Sequence, residues 1–99
     1  MIAELTILPL GEGVHLSGPL AEVIDMIESS GLAHQVTAMG TLIEGEPEAV
    51  WELVRRCHEV TRRGAPRVIT EVRIDDGAGA RLGQSVASLE SRLGREVHK

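Results

Sequence analysis

The order of apolar periodicities along this chain limits its fold more than any other feature. Over residues 2–10 (IAELTILPL), Ala3, Leu5 and Ile7 alternate with Glu4 and Thr6, the two-residue period of a half-buried strand. Pro9 and Gly11 end that strand, and Gly11-Glu12-Gly13 reads as a loop. The period then changes. Leu20, Val23, Ile24 and Ile27 recur at i, i+3, i+4 and i+7, one apolar stripe of a helix. Ser17-Gly18-Pro19 opens the helix, with Ser17 or Gly18 as cap, and Gly31 closes it. Residues 34–44 (HQVTAMGTLIE) return to strand character as two short strands broken near Met39-Gly40, by a tight turn or a bulge. Val36 and Ala38 are expected to face inward there, leaving Gln35, Thr37 and Met39 outward.

Gly45-Glu46-Pro47-Glu48 starts a second helix, with Pro47 at its first position and carboxylates near the positive end of the helix dipole. Its apolar stripe is Val50, Leu53, Val54 and Cys57, and Arg62-Arg63 precede the stop at Gly64 and Pro66. Residues 67–75 (RVITEVRID) form the clearest strand, with Val68, Thr70, Val72 and Ile74 opposed to Ile69, Glu71 and Arg73. A turn at Asp76-Gly77-Ala78-Gly79 leads to a short terminal helix spaced on Leu82, Val86, Leu89 and Leu93.

The resulting order, β-α-β-β-α-β plus a terminal helix, predicts one α+β domain over residues 1–99. Two βαβ halves with crossovers of one hand give a ferredoxin-like antiparallel sheet with both helices on one face. The opposite face is expected to carry Glu4, Thr6, Thr37, Met39, Thr41, Glu71 and Arg73, with Leu8, Ile43 and Ile69 among them. A surface that mixed suits a subunit interface or a ligand shelf. A chain of this length buries only roughly 60–70% of its unfolded surface, so self-association would add to a thin core.

Topology alone licenses no function; missing residue types narrow the choice. Net charge is −5, and Trp51 is the only aromatic, so the basic surplus and stacking rings of a nucleic-acid binder are absent. Cys57 is the sole cysteine, which removes the Cys-x-x-Cys pair of a ferredoxin-like metal chaperone, and the chain has no asparagine for an acylphosphatase-type Arg-Asn site. His15, His34, His58 and His98 lack metal-ligand spacing. Cys57 falls on a buried stripe, where it reads as a small apolar filler. His58, although next in sequence, points about 100° away from it on a helix. Gly11-x-Gly13 lacks the third glycine of a dinucleotide loop. Arg55-Arg56 and Arg62-Arg63 read as a solvated face, and Trp51 as a border of the core. No apolar run reaches the ~18 residues of a membrane span. Glu4 interrupts any signal-peptide layout, so a cytoplasmic protein is expected.

Together, Glu4-Leu5-Thr6-Ile7-Leu8-Pro9-Leu10-Gly11, Met39-Gly40-Thr41 and Glu44-Gly45 resemble the YkoF-like family of small thiamine-binding proteins. His58, the strand start Arg67-Val68 and the strand end Ile74-Asp75 fit the same pattern, which runs from about Met1 to Leu93. It departs at Asp76–Ala80, where a more charged continuation is expected. The resemblance implies a ferredoxin-like fold, homodimers or homotetramers assembled through the sheets, and binding of thiamine or its hydroxymethylpyrimidine part, with no reaction and no cofactor. Thiamine joins a permanent thiazolium cation to an aminopyrimidine. Its site needs a carboxylate, hydroxyl or backbone partners, and a flat apolar surface. Glu4, Thr6, Thr37, Met39, Gly40, Thr41 and Glu44 are therefore the expected ligand residues, Met39 stacking where no aromatic cage is available. Two alternatives stay open. The same residues would serve a structural or regulatory homo-oligomer without a ligand, and Glu44 would equally border the second helix. An enzyme would need a poised acid–base pair, and the sequence displays none.

Overall fold

The computed structural model describes residues 1–11 and 17–79. It contains β1 (Ile2–Leu10), α1 (Ser17–Ser29), β2 (Ala33–Thr37), β3 (Gly40–Glu44), α2 (Pro47–Gly64) and β4 (Arg67–Asp75). The four strands make one antiparallel sheet in the order β2-β3-β1-β4. Each helical crossover thus skips one strand, β1 to β2 over β3 and β3 to β4 over β1, which interleaves the two halves. This is the expected ferredoxin-like α+β arrangement. The expected terminal helix on Leu82–Leu93 lies outside the described residues, as does the loop at Glu12-Gly13.

Cross-strand register fixes the two faces. Ala3 opposes Ile43 and Ile74, Leu5 opposes Thr41 and Val72, and Ile7 opposes Thr70. These residues point toward the helices. The core is Ala3, Leu5 and Ile43 from the sheet, Val23 and Ile27 from α1, and Val50, Leu53, Val54 and Cys57 from α2. It is wholly aliphatic apart from the thiol, as a chain with a single, half-exposed tryptophan requires. α2 packs the stripe read from its sequence and adds Thr61, whose buried hydroxyl donates to the Cys57 carbonyl at 2.8 Å. On its outer side Arg55 bridges Glu52 and Glu59 at 2.5 and 2.6 Å. α1 ends with Ser30 Oγ donating to the Ile27 carbonyl, and Gly31 takes the left-handed conformation (φ +78°) favoured just past a helix.

The opposite face carries Ile2, Glu4, Thr6 and Leu8 of β1, with Leu42 and Glu44 of β3 and Ile69, Glu71 and Arg73 of β4. Two expected members of that face are not on it. Thr41 and Ile43 are buried on the helix side, and Leu42 takes the outward place. The reason is the hairpin. Only Ala38 and Met39 separate the strands, and Thr37 stands opposite Gly40. Paired residues share a face, yet these two are three apart in sequence, so the odd–even pattern inverts on crossing the turn. A strand read straight through assigns every later side chain to the wrong side.

Candidate functional site

The hairpin tip is built by threonines. Thr37 Oγ1 donates to the Gly40 carbonyl at 2.7 Å and accepts from the Met39 backbone N–H at 3.2 Å, closing the turn on itself. From β1, Thr6 Oγ1 donates to the Met39 carbonyl at 3.1 Å and ties the tip to the sheet centre. Gly40 has φ +154°, and a Cβ there would stand 2.9 Å from both the Leu5 carbonyl oxygen and Thr6 Oγ1. Only glycine lets β3 leave the turn this close to β1.

Beside this tip, α1 does not close fully onto the sheet. Along its apolar stripe Ile27 and Val23 are buried, Ile24 is half-buried and Leu20 is exposed. The gap between the first turns of α1 and the hairpin is a cleft of about 330 Å³. That lies at the lower end of the ~300–1,000 Å³ usual for small-molecule sites. Leu20, Val23 and Ile24 form one wall, Leu5, Ile7 and Thr41 line it from the sheet, and Val36 to Gly40 with Thr6 supply the hairpin side. Met39 stands at the hairpin tip with 81% of its surface exposed. Thr41 is only 7% exposed, and its hydroxyl makes no hydrogen bond to any described residue. None of the described lining residues is charged.

Of the seven expected ligand residues, Thr6, Thr37, Met39, Gly40 and Thr41 gather around this cleft. Glu4 and Glu44 do not. Glu4 lies on the open face in a shallower depression with Ile2, Leu42, Arg73 and Asp75, and Glu44 opposes Ile2 near the far end of β1. Although Glu4 and Arg73 oppose each other in register, they form no ion pair among the described residues. The lining that sequence reasoning missed is Leu20, Val23 and Ile24 of α1 together with apolar residues of the sheet and turn. Their periodicity was visible in the sequence, but not that they meet around one space.

Two groups elsewhere bear on chemistry. Burial pushes the Cys57 thiol up to about 11, against a smaller opposing pull from the Arg56 guanidinium, which suits a packing thiol and not a nucleophile. His58 Nδ1 lies 2.6 Å from Thr70 Oγ1, a contact that joins α2 to β4. Among the described residues no three His, Cys, Asp or Glu side chains are grouped to hold a metal, and no helix is long and apolar enough to cross a membrane.

Comparison with known proteins adds the following. A family model described as thiamine-binding protein matches residues 3–90. A UPF0045 protein of Synechocystis is 36% identical over 74 residues, which are 74% of this chain and 61% of that protein, so the chain spans less than two thirds of that relative. A UPF0045 protein of Mycobacterium bovis is 34% identical over 96 residues, with 94% of each chain covered. A crystal structure from Thermotoga maritima, described as a candidate thiamine biosynthesis/salvage protein, aligns with a TM-score of 0.77 at 24% identity, covering 89% of this chain and 96% of that one. The last likeness shows a shared fold.

Proposed function

The chain belongs to the thiamine-binding protein family, and from that premise we propose that it binds thiamine or a related hydroxymethylpyrimidine, without transforming it, in the cleft between α1 and the β2–β3 hairpin. The observation that carries this reading is the cleft itself: of ligand size, walled by aliphatic side chains, bordered by the threonine-built hairpin, and lined by Thr41 on the helix side of the sheet. A flat heteroaromatic ring with a methyl group and an amine needs that combination. Binding without reaction is supported by the lining, whose described side chains include no acid, base or nucleophile other than threonine hydroxyls. Titration calorimetry with thiamine tests it: saturable binding near one ligand per chain is expected, weakened when Val23→Trp fills the cleft. Absence of heat with thiamine and with its pyrimidine fragment would refute the reading.

The open sheet face supports a second element of the proposal, assembly of two or four copies. Leu8 and Ile69 oppose each other there, 41% and 39% exposed, with the outward pair Thr6 and Glu71 between them and the opposed charges of Glu4 and Arg73. A second sheet would cover the apolar residues and let Glu4 of one copy meet Arg73 of the next. Burying that face against protein alone is the competing reading, a structural or regulatory module without a ligand; a dimer whose stability no pyrimidine alters would favour it. A cytoplasmic location belongs to the same proposal, since a lone buried thiol draws no benefit from an oxidising compartment.

A further inference from the structure

We propose that Thr41 is the specificity-determining anchor of the cleft and that the site reads only an uncharged ring, so that the cationic and phosphorylated portions of larger ligands contribute nothing to affinity. The inference rests on the binding assigned above to this cleft and adds to it which chemistry is recognised.

Among the described residues, Thr41 is the one buried polar side chain at the cleft without a hydrogen bond. Its neighbours are spent: the Thr6 hydroxyl proton goes to the Met39 carbonyl, and that of Thr37 to Gly40. Thr41, 7% exposed as a residue, lines the cleft from the helix side of β3, and its hydroxyl has no partner among the described residues. Buried hydroxyls are rarely left unpaired, because an unmade hydrogen bond forfeits the solvation given up on burial. A hydroxyl donates once and accepts twice. A ring nitrogen beside an exocyclic amine presents the matching acceptor and donor. Leu5, Val23 and Ile24 then take the faces and methyl group of the ring.

The charge pattern sets the other half. No described lining residue is anionic, so a thiazolium gains no partner; none is cationic, so a phosphate gains none either. Both ionic parts are costly to bring into an apolar cleft unpaired. They therefore stay in solvent past the exposed Met39, where ions are screened within ~10 Å at 0.1 M salt. The carboxylate sought for the cation, Glu4, lies in the other depression on the opposite face.

The test is calorimetry with three ligands, the bare hydroxymethylpyrimidine, thiamine and thiamine monophosphate, at low and high salt. It is run on the wild type, Thr41→Val and Thr41→Ser. Expected are wild-type dissociation constants for the three ligands within about tenfold of one another, each changing by less than about twofold with salt. Thr41→Val removes the hydroxyl at nearly constant volume and weakens all three by a common factor of roughly three to ten, while Thr41→Ser keeps most of the affinity. Ligand-free Thr41→Val melts no lower than the wild type, since it loses no hydrogen bond among the described residues. That opposition between affinity and stability is one a merely structural threonine would not produce. Thiamine bound more than about a hundredfold tighter than its pyrimidine, or affinity falling steeply with salt, overturns this inference while leaving thiamine binding intact. Silence from all three ligands overturns the binding assignment and this inference with it.

Discussion

Replacing Gly40 by alanine should cost this protein about 2 kcal/mol, a large part of the stability of a domain this size. The figure follows from two local facts. The backbone at Gly40 has φ +154°, a region that side chains rarely tolerate, and holding a non-glycine residue there costs about 1–3 kcal/mol. The added Cβ would also lie 2.9 Å from the Leu5 carbonyl oxygen, where a relaxed C···O approach is about 3.3–3.6 Å. β1 and β3, central strands of the sheet, must then part by several tenths of an ångström. Restricting the unfolded chain returns about 0.4–1 kcal/mol, too little to cancel the strain. For a domain of this length each kcal/mol moves the midpoint by about 4–8 °C, so the melting temperature should fall by about 8–16 °C. Urea unfolding followed by far-ultraviolet circular dichroism should show the midpoint lowered by roughly 1 M with an unchanged slope. The control is Gly64→Ala at the end of α2, where φ is negative and nothing lies within 4 Å of the new methyl. It should stabilise by about 0.4–1 kcal/mol. If Gly40→Ala costs less than about 0.5 kcal/mol, or the two substitutions act with the same sign, the steric account of the hairpin is wrong.

Three other perturbations probe separate parts of the molecule. Thr6→Val removes the bond from Thr6 Oγ1 to the Met39 carbonyl; it should cost about 0.5–1.5 kcal/mol in urea unfolding and weaken thiamine binding severalfold by loosening the hairpin side of the cleft. Binding unchanged would show that the tie does not position that wall. Ile69→Glu sets a carboxylate beside Leu8 on the open face, and sedimentation should report dimers or tetramers for the wild type and monomers for the variant; the same assembly for both would place the interface elsewhere, and a monomeric wild type would refute the proposed assembly. The thiol of Cys57 sits near 11 in the folded chain, above its ordinary value of 9.0, so the folded state prefers the neutral form. Its contribution is complete below pH 9 and is lost as pH rises through 11. Stability measured at pH 8 and pH 10.5 should therefore fall further in the wild type than in Cys57→Ala, and equal falls would dissociate the thiol from alkaline unfolding.

The element order, and with it the ferredoxin-like sheet, was legible in the sequence because each element buries one face and repeats at its own period. The stripe Val50, Leu53, Val54, Cys57 and the alternation of Val68, Thr70, Val72 and Ile74 are local patterns, and packing retained both. Two decisions lay beyond any local pattern. The first was the parity change at the hairpin: two residues of turn reverse which side Thr41 faces, and the choice depends on how closely β1 admits Gly40. The second was the cleft, which exists because α1 begins beyond the edge of the sheet cover, leaving Leu20 and Ile24 incompletely buried next to a hairpin that follows them in sequence. Periodicity states how a side chain is oriented within its own element. Only the docking of elements distant in the chain decides which five threonine-, glycine- and methionine-bearing positions meet around one space, and why Glu4 faces away from it.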